Sequence, residues 1–282
     1  MSTPTLRGGE RLARTVMITG AGSGIGAASV AAAVRAGHRV AVADIDLAAA
    51  ERVAAPHGGA AIAVRLDVRD EAEWSRVLDH VEAELGPLDV LVNNAGIIHT
   101  GVATAIPLRR HRDMIDVNLL GPMTGILAGL ARMKPRGRGH IIDVCSMTSF
   151  VPLVGYSSYS ASKHALRAFH HSVALEERDS GVGFTIIHPP STRTPMLEQE
   201  MADETAGIAF AGKSVAPEEI AAAVVSAIDA RPREVIFPAL GGQITRLFGA
   251  VPAITYRAVL RTEREGLRNR ERMLGRTDGS MA

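Results

Sequence analysis

Val16-Met17-Ile18-Thr19-Gly20-Ala21-Gly22-Ser23-Gly24-Ile25-Gly26 begins apolar and ends in a run broken by four glycines. An Ala-rich stretch follows to Ala36, and Gly37 stands where a helix would end. The reading is strand, tight turn, helix. Glycines at such a turn let the backbone approach a ligand closely. The helix start behind them offers free N–H groups and the positive end of a dipole to an anion. Gly20, Gly24 and Gly26 do not have the G-x-G-x-x-G spacing, and a bare tight turn would also use glycines. Their place between a strand and a helix favours a pyrophosphate site, with Ser23 and Ile25 beside the ligand.

Further apolar runs follow at Val40 to Ala43, Ile62 to Leu66, Val90 to Val92, Ile141 to Val144, Phe184 to Ile187 and Val235 to Phe237. Between them, 71–85, 108–133, 159–177 and 217–230 are long enough for helices. Short strands alternating with helices imply a parallel sheet covered on both faces. Ligands of such sheets bind beyond the carboxyl ends of the strands. The chemistry is therefore expected just after each apolar run.

The expected fold class is α/β: a single Rossmann-type, doubly wound domain over 15–238 with seven parallel strands. A tail precedes it over 1–14 and a helical extension follows over 239–282. That extension sets Arg257, Arg261, Arg264, Arg268, Arg270, Arg272 and Arg276 against Glu263, Glu265 and Glu271. The plain expectation is a solvated helical tail; a subunit contact or an anionic surface are the alternatives.

The chain has 282 residues, 46% hydrophobic and 22% charged, with a formal net charge of +1. This is a globular composition with no bulk pull toward nucleic acid or a membrane surface. One cysteine, Cys145, allows no intramolecular disulfide. The first fourteen residues lack the apolar run of a signal peptide, and no uninterrupted apolar run has membrane-spanning length. These features lead to the expectation of a cytoplasmic protein.

Asp44 ends the second strand, eighteen residues beyond Gly26. A carboxylate there accepts hydrogen bonds from the adenosine ribose hydroxyls and repels a 2′-phosphate. One charge pair at about 4 Å and an effective dielectric of about 20 is worth about 4 kcal/mol. A fraction of that selects NAD over NADP. Helix capping is the competing role for Asp44.

Tyr159 and Lys163 stand at i and i+4, on one helix face. A phenol titrates near pH 10 and needs a shift of about 2–3 units to act as a base near neutrality. A lysine ammonium at about 4 Å supplies that only in a partly dry cleft. Ser146 lies thirteen residues before Tyr159, at the end of the fifth strand, where its hydroxyl can hold a substrate oxygen.

With these motifs in order, the chain resembles the short-chain dehydrogenase/reductase family over 15–238. Asp67-Val68 resembles the pair that contacts adenine. Asn93-Asn94-Ala95-Gly96 resembles the turn after the fourth strand that passes near the cofactor. Asn118 resembles the helix asparagine of the proton relay, and Thr194 the threonine that meets the nicotinamide carboxamide. The resemblance implies that Tyr159 exchanges the proton and Ser146 positions the substrate oxygen. It implies that Lys163 lowers the Tyr159 pKa and binds ribose, and that Asn118 links Lys163 to solvent through water. The loop Pro189-Pro190-Ser191-Thr192-Arg193-Thr194 departs from the family's Pro-Gly, since Pro190 fixes φ and removes an N–H. Its Pro189, Thr192 and Thr194 are expected against the cofactor.

The expectation is an NAD-dependent enzyme of a hydrophobic secondary alcohol or ketone, polycyclic or terpenoid, walled by Val151, Leu153, Val154, Tyr156 and the 196–210 lid. NADP is the weaker alternative, and NAD use favours oxidation. A dinucleotide-sensing protein without turnover and a sugar epimerase are the competing readings. No metal is expected, and His164, His170 and His171 read as surface or interface residues. Cys145 reads as a small strand residue, and Tyr156, without a lysine four residues on, as pocket wall. The resemblance implies a homodimer or homotetramer.

Overall fold

The computed structural model describes residues 13–249 and 251–278. Most of the expected N-terminal tail and the last four residues lie outside them. The seven strands are β1 (Thr15–Thr19), β2 (Arg39–Asp44), β3 (Ala61–Arg65), β4 (Leu88–Asn93), β5 (Gly139–Val144), β6 (Val182–His188) and β7 (Glu234–Ile236). They form one parallel sheet in the order β3-β2-β1-β4-β5-β6-β7. The strand order reverses between β1 and β4, and a crevice opens there at the carboxyl ends.

Alternation along the strands divides the core. Val16, Ile18, Val40, Val42, Val90 and Val92 pack on one face with Val30 and Ala33 of α1 (Gly24–Arg35). Val224 and Ile228 of α8 (Pro217–Ala230) join them. Met17 and Leu91 point to the other face, onto Trp74 and Leu78 of α3 (Glu71–Leu85) and Ile126 and Met133 of α5 (Gly121–Met133). Trp74 is fully buried, and its indole N–H donates to the Val68 carbonyl at 3.0 Å. Each such side chain contributes about 1.5–3 kcal/mol on burial.

Two short helices escape the apolar pattern. α2 (Leu47–Ala54) starts where the Asp46 carboxylate accepts from Ala49 N at 3.1 Å. α7 (Pro195–Met201) starts on a proline. The helix expected over 108–133 is α4 (Leu108–Ile115), a π-helical segment (Asp116–Leu120) and α5 in continuous register. By length and composition, 108–136 is apolar enough to cross a membrane although charged residues interrupt it; here 44% of its most apolar window is buried against the rest of the chain.

Helix α6 (Ser157–Glu176) carries Tyr159, Lys163, Leu166 and His170 at spacings of four, three and four, all buried toward the sheet. His170 corrects the expectation of a surface histidine. It is 1% exposed, and its Nδ1 lies 2.7 Å from Asp143 Oδ2. Asp143 Oδ1 accepts from Asn93 Nδ2 at 2.8 Å, so a buried polar ladder ties β4 and β5 to the helix bearing the tyrosine. His171 is half-buried and His164 exposed.

The extension is not a solvated tail. α9 (Ala239–Gly249) and α10 (Pro252–Asp278) lie against the domain. Asn269 Nδ2 donates to the Phe210 carbonyl at 3.1 Å and Arg270 Nε to the Met201 carbonyl at 3.0 Å. Arg257, Arg261, Arg264, Arg268 and Arg272 are exposed on the outer side, while Arg270 faces the domain.

Candidate active site

One cleft of about 1150 Å³ runs across the carboxyl ends of the strands. Gly20, Ser23, Gly24, Ile25, Asp44, Asp67 and Val68 line one end, and Asn94, Ala95 and Gly96 the middle. Ser146, Tyr159, Lys163, Pro189, Thr192 and Thr194 line it where the ends meet.

The glycine turn is built for close approach. Gly20 has φ +61°, and a Cβ there would stand 2.6 Å from Ala95 Cα, across the crevice. Gly24 has φ +54°, and a Cβ would meet Thr194 Cγ2 at 3.1 Å. The Ser23 side chain makes no cap hydrogen bond, so the first N–H groups of α1 stay available to an anion. Gly26 lies behind the turn, where a Cβ would strike the Gly20 carbonyl and crowd Asn94. It shapes the turn rather than lining the cleft. Asn94 holds the turn, its Nδ2 donating to the carbonyls of Thr19 and Gly20 at 2.9 and 3.0 Å.

Asp44 Oδ2 accepts from Gly22 N at 2.8 Å, and Oδ1 from Asp46 N at 3.0 Å. A carboxylate offers about four lone-pair sites, so acceptor capacity remains for a ribose. Asp67 is engaged differently. Arg69 grips its carboxylate through Nε at 2.8 Å and Nη2 at 2.6 Å, and this guanidinium holds Asp67 below its ordinary pKa. Available free donors and a partly free carboxylate fit a dinucleotide.

Asn118 is fully buried and reaches the cleft only indirectly. Its Oδ1 accepts from Ile97 N and its Nδ2 donates to Ile97 O, both at 2.8 Å. Its side-chain amide is thus paired with the Ile97 backbone, and it sits in the π-helical segment, where Gly121 N bonds Asp116 O at i−5. Gly96 separates Asn118 from Lys163: a Cβ there would lie 3.3 Å from Asn118 Oδ1 and 3.9 Å from Lys163 Nζ.

Lys163 Nζ donates to the Val144 carbonyl at 3.2 Å and lies 5.8 Å from the Tyr159 ring centroid. Burial lowers the lysine pKa. Burial also pushes the Tyr159 phenol up, the Glu200 carboxylate adds to the rise, and the Ser146 hydroxyl opposes it. The expected depression of Tyr159 by Lys163 is therefore not met in this arrangement. Burial is the largest cause, and Lys163 Nζ is held at the Val144 carbonyl.

Ser146 Oγ accepts from Thr148 N at 3.1 Å, setting the hydroxyl at the cleft. Behind it His188, fully buried, holds the loop: its Nδ1 lies 2.9 Å from Ser149 Oγ and 3.2 Å from the Ser146 carbonyl. Its Nε2 is 3.1 Å from Glu234, whose carboxyl is held down to about 2, first by His188. Cys145 is buried, as expected of a small residue there. The Pro190 loop still delivers Thr194 to the cleft, anchored by the Thr192–Val215 bridge.

The substrate end contains Leu153, Tyr156, Met196 and Ile208, near their expected places, and two groups the sequence did not reveal. One is Glu200. The other is a face of α10, where Thr255, Ala258, Val259 and Thr262 line the cleft. Their i, i+3, i+4, i+7 spacing was the available signal.

Residues 14–205 match the family described as short chain dehydrogenase. The 3-beta-hydroxysteroid dehydrogenase of Comamonas testosteroni is 35% identical over 222 residues, covering 75% of this chain and 87% of that protein. The 1-deoxy-11-beta-hydroxypentalenate dehydrogenase of Streptomyces exfoliatus is 35% identical over 221 residues, 76% of this chain and 79% of that one. Among solved structures, a 3-ketoacyl-(acyl-carrier-protein) reductase from Brucella melitensis complexed with NADH superimposes with a TM-score of 0.73 at 26% identity. It covers 79% of this chain and 96% of its own. This chain belongs to the short-chain dehydrogenase family. As such, it is an oxidoreductase that moves a hydride between a nicotinamide dinucleotide and a secondary alcohol or ketone. In this dehydrogenase the crevice at the strand reversal is part of the cleft that holds Asp44, Ser146, Tyr159 and Lys163.

Proposed function

We propose that this dehydrogenase uses NAD and acts on a hydrophobic, polycyclic secondary alcohol or its ketone, with Tyr159 as the acid/base. The observation that carries the reading is one cleft holding Asp44 at one end and Tyr159, Ser146 and an apolar chamber at the other. Bound nicotinamide supplies the hydride acceptor or donor. The Tyr159 hydroxyl takes or returns the proton of the substrate oxygen, and the Ser146 hydroxyl donates a hydrogen bond that orients it. Lys163 offers its ammonium to ribose hydroxyls beside the phenol. Asn118 acts through Ile97, keeping the π-helical segment and its backbone groups in place next to Gly96.

The substrate class is supported by Leu153, Met196 and Ile208 around the phenol and by relatives named for a steroid and for a pentalenate. Oxidation is the proposed cellular direction. A cytoplasmic site and assembly as a homodimer or homotetramer belong to the same proposal. Leu120 and Leu127, seven residues apart on one helical run and 45% and 58% exposed, are an apolar stripe suited to a second copy.

Reduced-nicotinamide absorbance tests the chemistry on a panel of polycyclic secondary alcohols. Wild type is expected to turn over with NAD, and Tyr159→Phe to lose about 10²–10⁴-fold in kcat while keeping its NAD affinity. Clear NAD binding without turnover of any alcohol or ketone would favour the dinucleotide-sensing reading instead.

A further inference from the structure

Helix α7 turns a carboxyl into the substrate end of the cleft. Glu200 lines it close to Tyr156 and Tyr159, among Ile98, Met196 and Ile208. Packing gives no reason for a carboxyl here, since withdrawing one from water costs free energy and Glu200 is only partly exposed, with the Tyr156 hydroxyl as its polar neighbour. Burial pushes Glu200 up to about 7, with the Tyr156 hydroxyl opposing. Tyr156 is 2% exposed; its hydroxyl oxygen is buried, and no hydrogen bond of good geometry reaches it although Glu200 is its neighbour. A carboxyl and a phenol thus stand together in an apolar chamber, and the buried phenol oxygen lacks a hydrogen bond of good geometry.

We propose that Glu200 and Tyr156 form a subsite for a second hydroxyl on the substrate's apolar skeleton. A hydroxyl is the group that matches both: its O–H donates to the Glu200 carboxylate, and its oxygen accepts from the Tyr156 phenol. With Glu200 ionised, a keto oxygen gives the carboxylate no donor, an ammonium gives the phenol no acceptor, and an alkyl group leaves both unmatched. The Tyr156 and Tyr159 rings meet edge to face with centroids 6.3 Å apart, so one compact molecule spans both sites. The inference rests on Tyr159 handling the first oxygen, as proposed above. Glu200 and Tyr156 are specificity-determining residues in it, with no part in the hydride or proton step.

The test is initial rates with NAD on 2-decalol and on the decalindiols that retain its hydroxyl. In wild type one diol isomer is expected to exceed 2-decalol by about tenfold or more in kcat/KM, carried by KM. Glu200→Leu and Tyr156→Phe bring that ratio to about one through KM. Glu200→Gln keeps part of the preference, because its amide oxygen still accepts. NAD affinity and melting temperature verify that each variant is folded. Three results overturn the subsite: no diol preferred by wild type, a preference that survives both variants, or an equal fall of kcat on 2-decalol and diol in Glu200→Leu. Turnover of 2-decalol without diol preference strikes the subsite alone. No turnover of any of these alcohols, with NAD bound, strikes the alcohol reading and the subsite with it.

Discussion

Asp44 shows how one carboxylate can hold a turn and still keep acceptor capacity facing a cleft. Its hydrogen bonds to Gly22 N and Asp46 N fix the glycine turn and the start of α2. The same charge faces the end of the cleft where a 2′-phosphate would fall. The nearby cation, Arg69, is committed to Asp67 and offers that phosphate little. Wild type is therefore expected to prefer NAD over NADP by tenfold or more in kcat/KM, on the order of 1.4 kcal/mol or above. Asp44→Ser should erase most of that ratio. The ratio is the right measurement, because any loosening of the turn weakens both cofactors and cancels. A ratio that stays put in the variant would assign Asp44 to the turn alone. Asn94 and Gly26 shape the same turn from behind. A sequence motif does not separate residues that touch a ligand from residues that hold those that do.

At the scale of elements, β5 leads into Ser146 at its end and carries an acid-sensitive group near its start. His140 is fully buried between strands, its Nε2 2.9 Å from Thr185 Oγ1. Burial, then Arg231 and Arg14, push its pKa down to about 3. The unfolded chain takes up that proton near pH 6.5, and the folded chain does not until about pH 3. Proton binding thus favours unfolding, and stability falls as pH drops through that window by about 1.4 kcal/mol per unit. Urea unfolding at pH 7 and pH 5 should show a loss of about 2 kcal/mol that His140→Gln largely removes. An unchanged pH dependence in the variant would refute the assignment.

The elements themselves were readable to different degrees. β-branched runs bounded by turns fixed all seven strands, since a strand covered on both faces must be apolar throughout. Glu71–Leu85 and Pro217–Ala230 matched to the residue because both have acidic first turns and clear ends. The π-helical break at Asp116–Leu120 was hidden, because it depends on Asn118 bonding to Ile97, a contact between distant segments. His170 and Glu200 were misread or missed for the same reason: their partners, Asp143 and Tyr156, are supplied by the fold.

For the whole molecule, the decisive feature is that the C-terminal helices complete a cleft whose other walls lie within 16–213. Ile244, Thr245 and the Thr255–Thr262 face of α10 close its substrate end. They are held by Asn269 on Phe210, by Arg270 on Met201 and by Arg246 on Glu234 at 2.5 Å. Gly266 permits the contact with the Gly207 carbonyl, which a Cβ would strike. The dinucleotide end is made instead from the turns after β1, β2 and β4, far from these helices. The two halves of the cleft should therefore separate experimentally. A chain ending at Pro238 is expected to keep its NAD affinity within about threefold while KM for a polycyclic alcohol rises tenfold or more, the cost of an apolar wall lost to water. Val259→Arg, which charges that wall with the helices still present, should raise KM in the same direction. Titration of NAD fluorescence quenching against steady-state KM distinguishes the cases. An equal loss of NAD affinity and substrate affinity on truncation would mean that α9 and α10 support the domain as a whole. A rise confined to KM in both variants makes them the substrate wall, and places the choice of substrate in a segment that the family's shared residues do not reach.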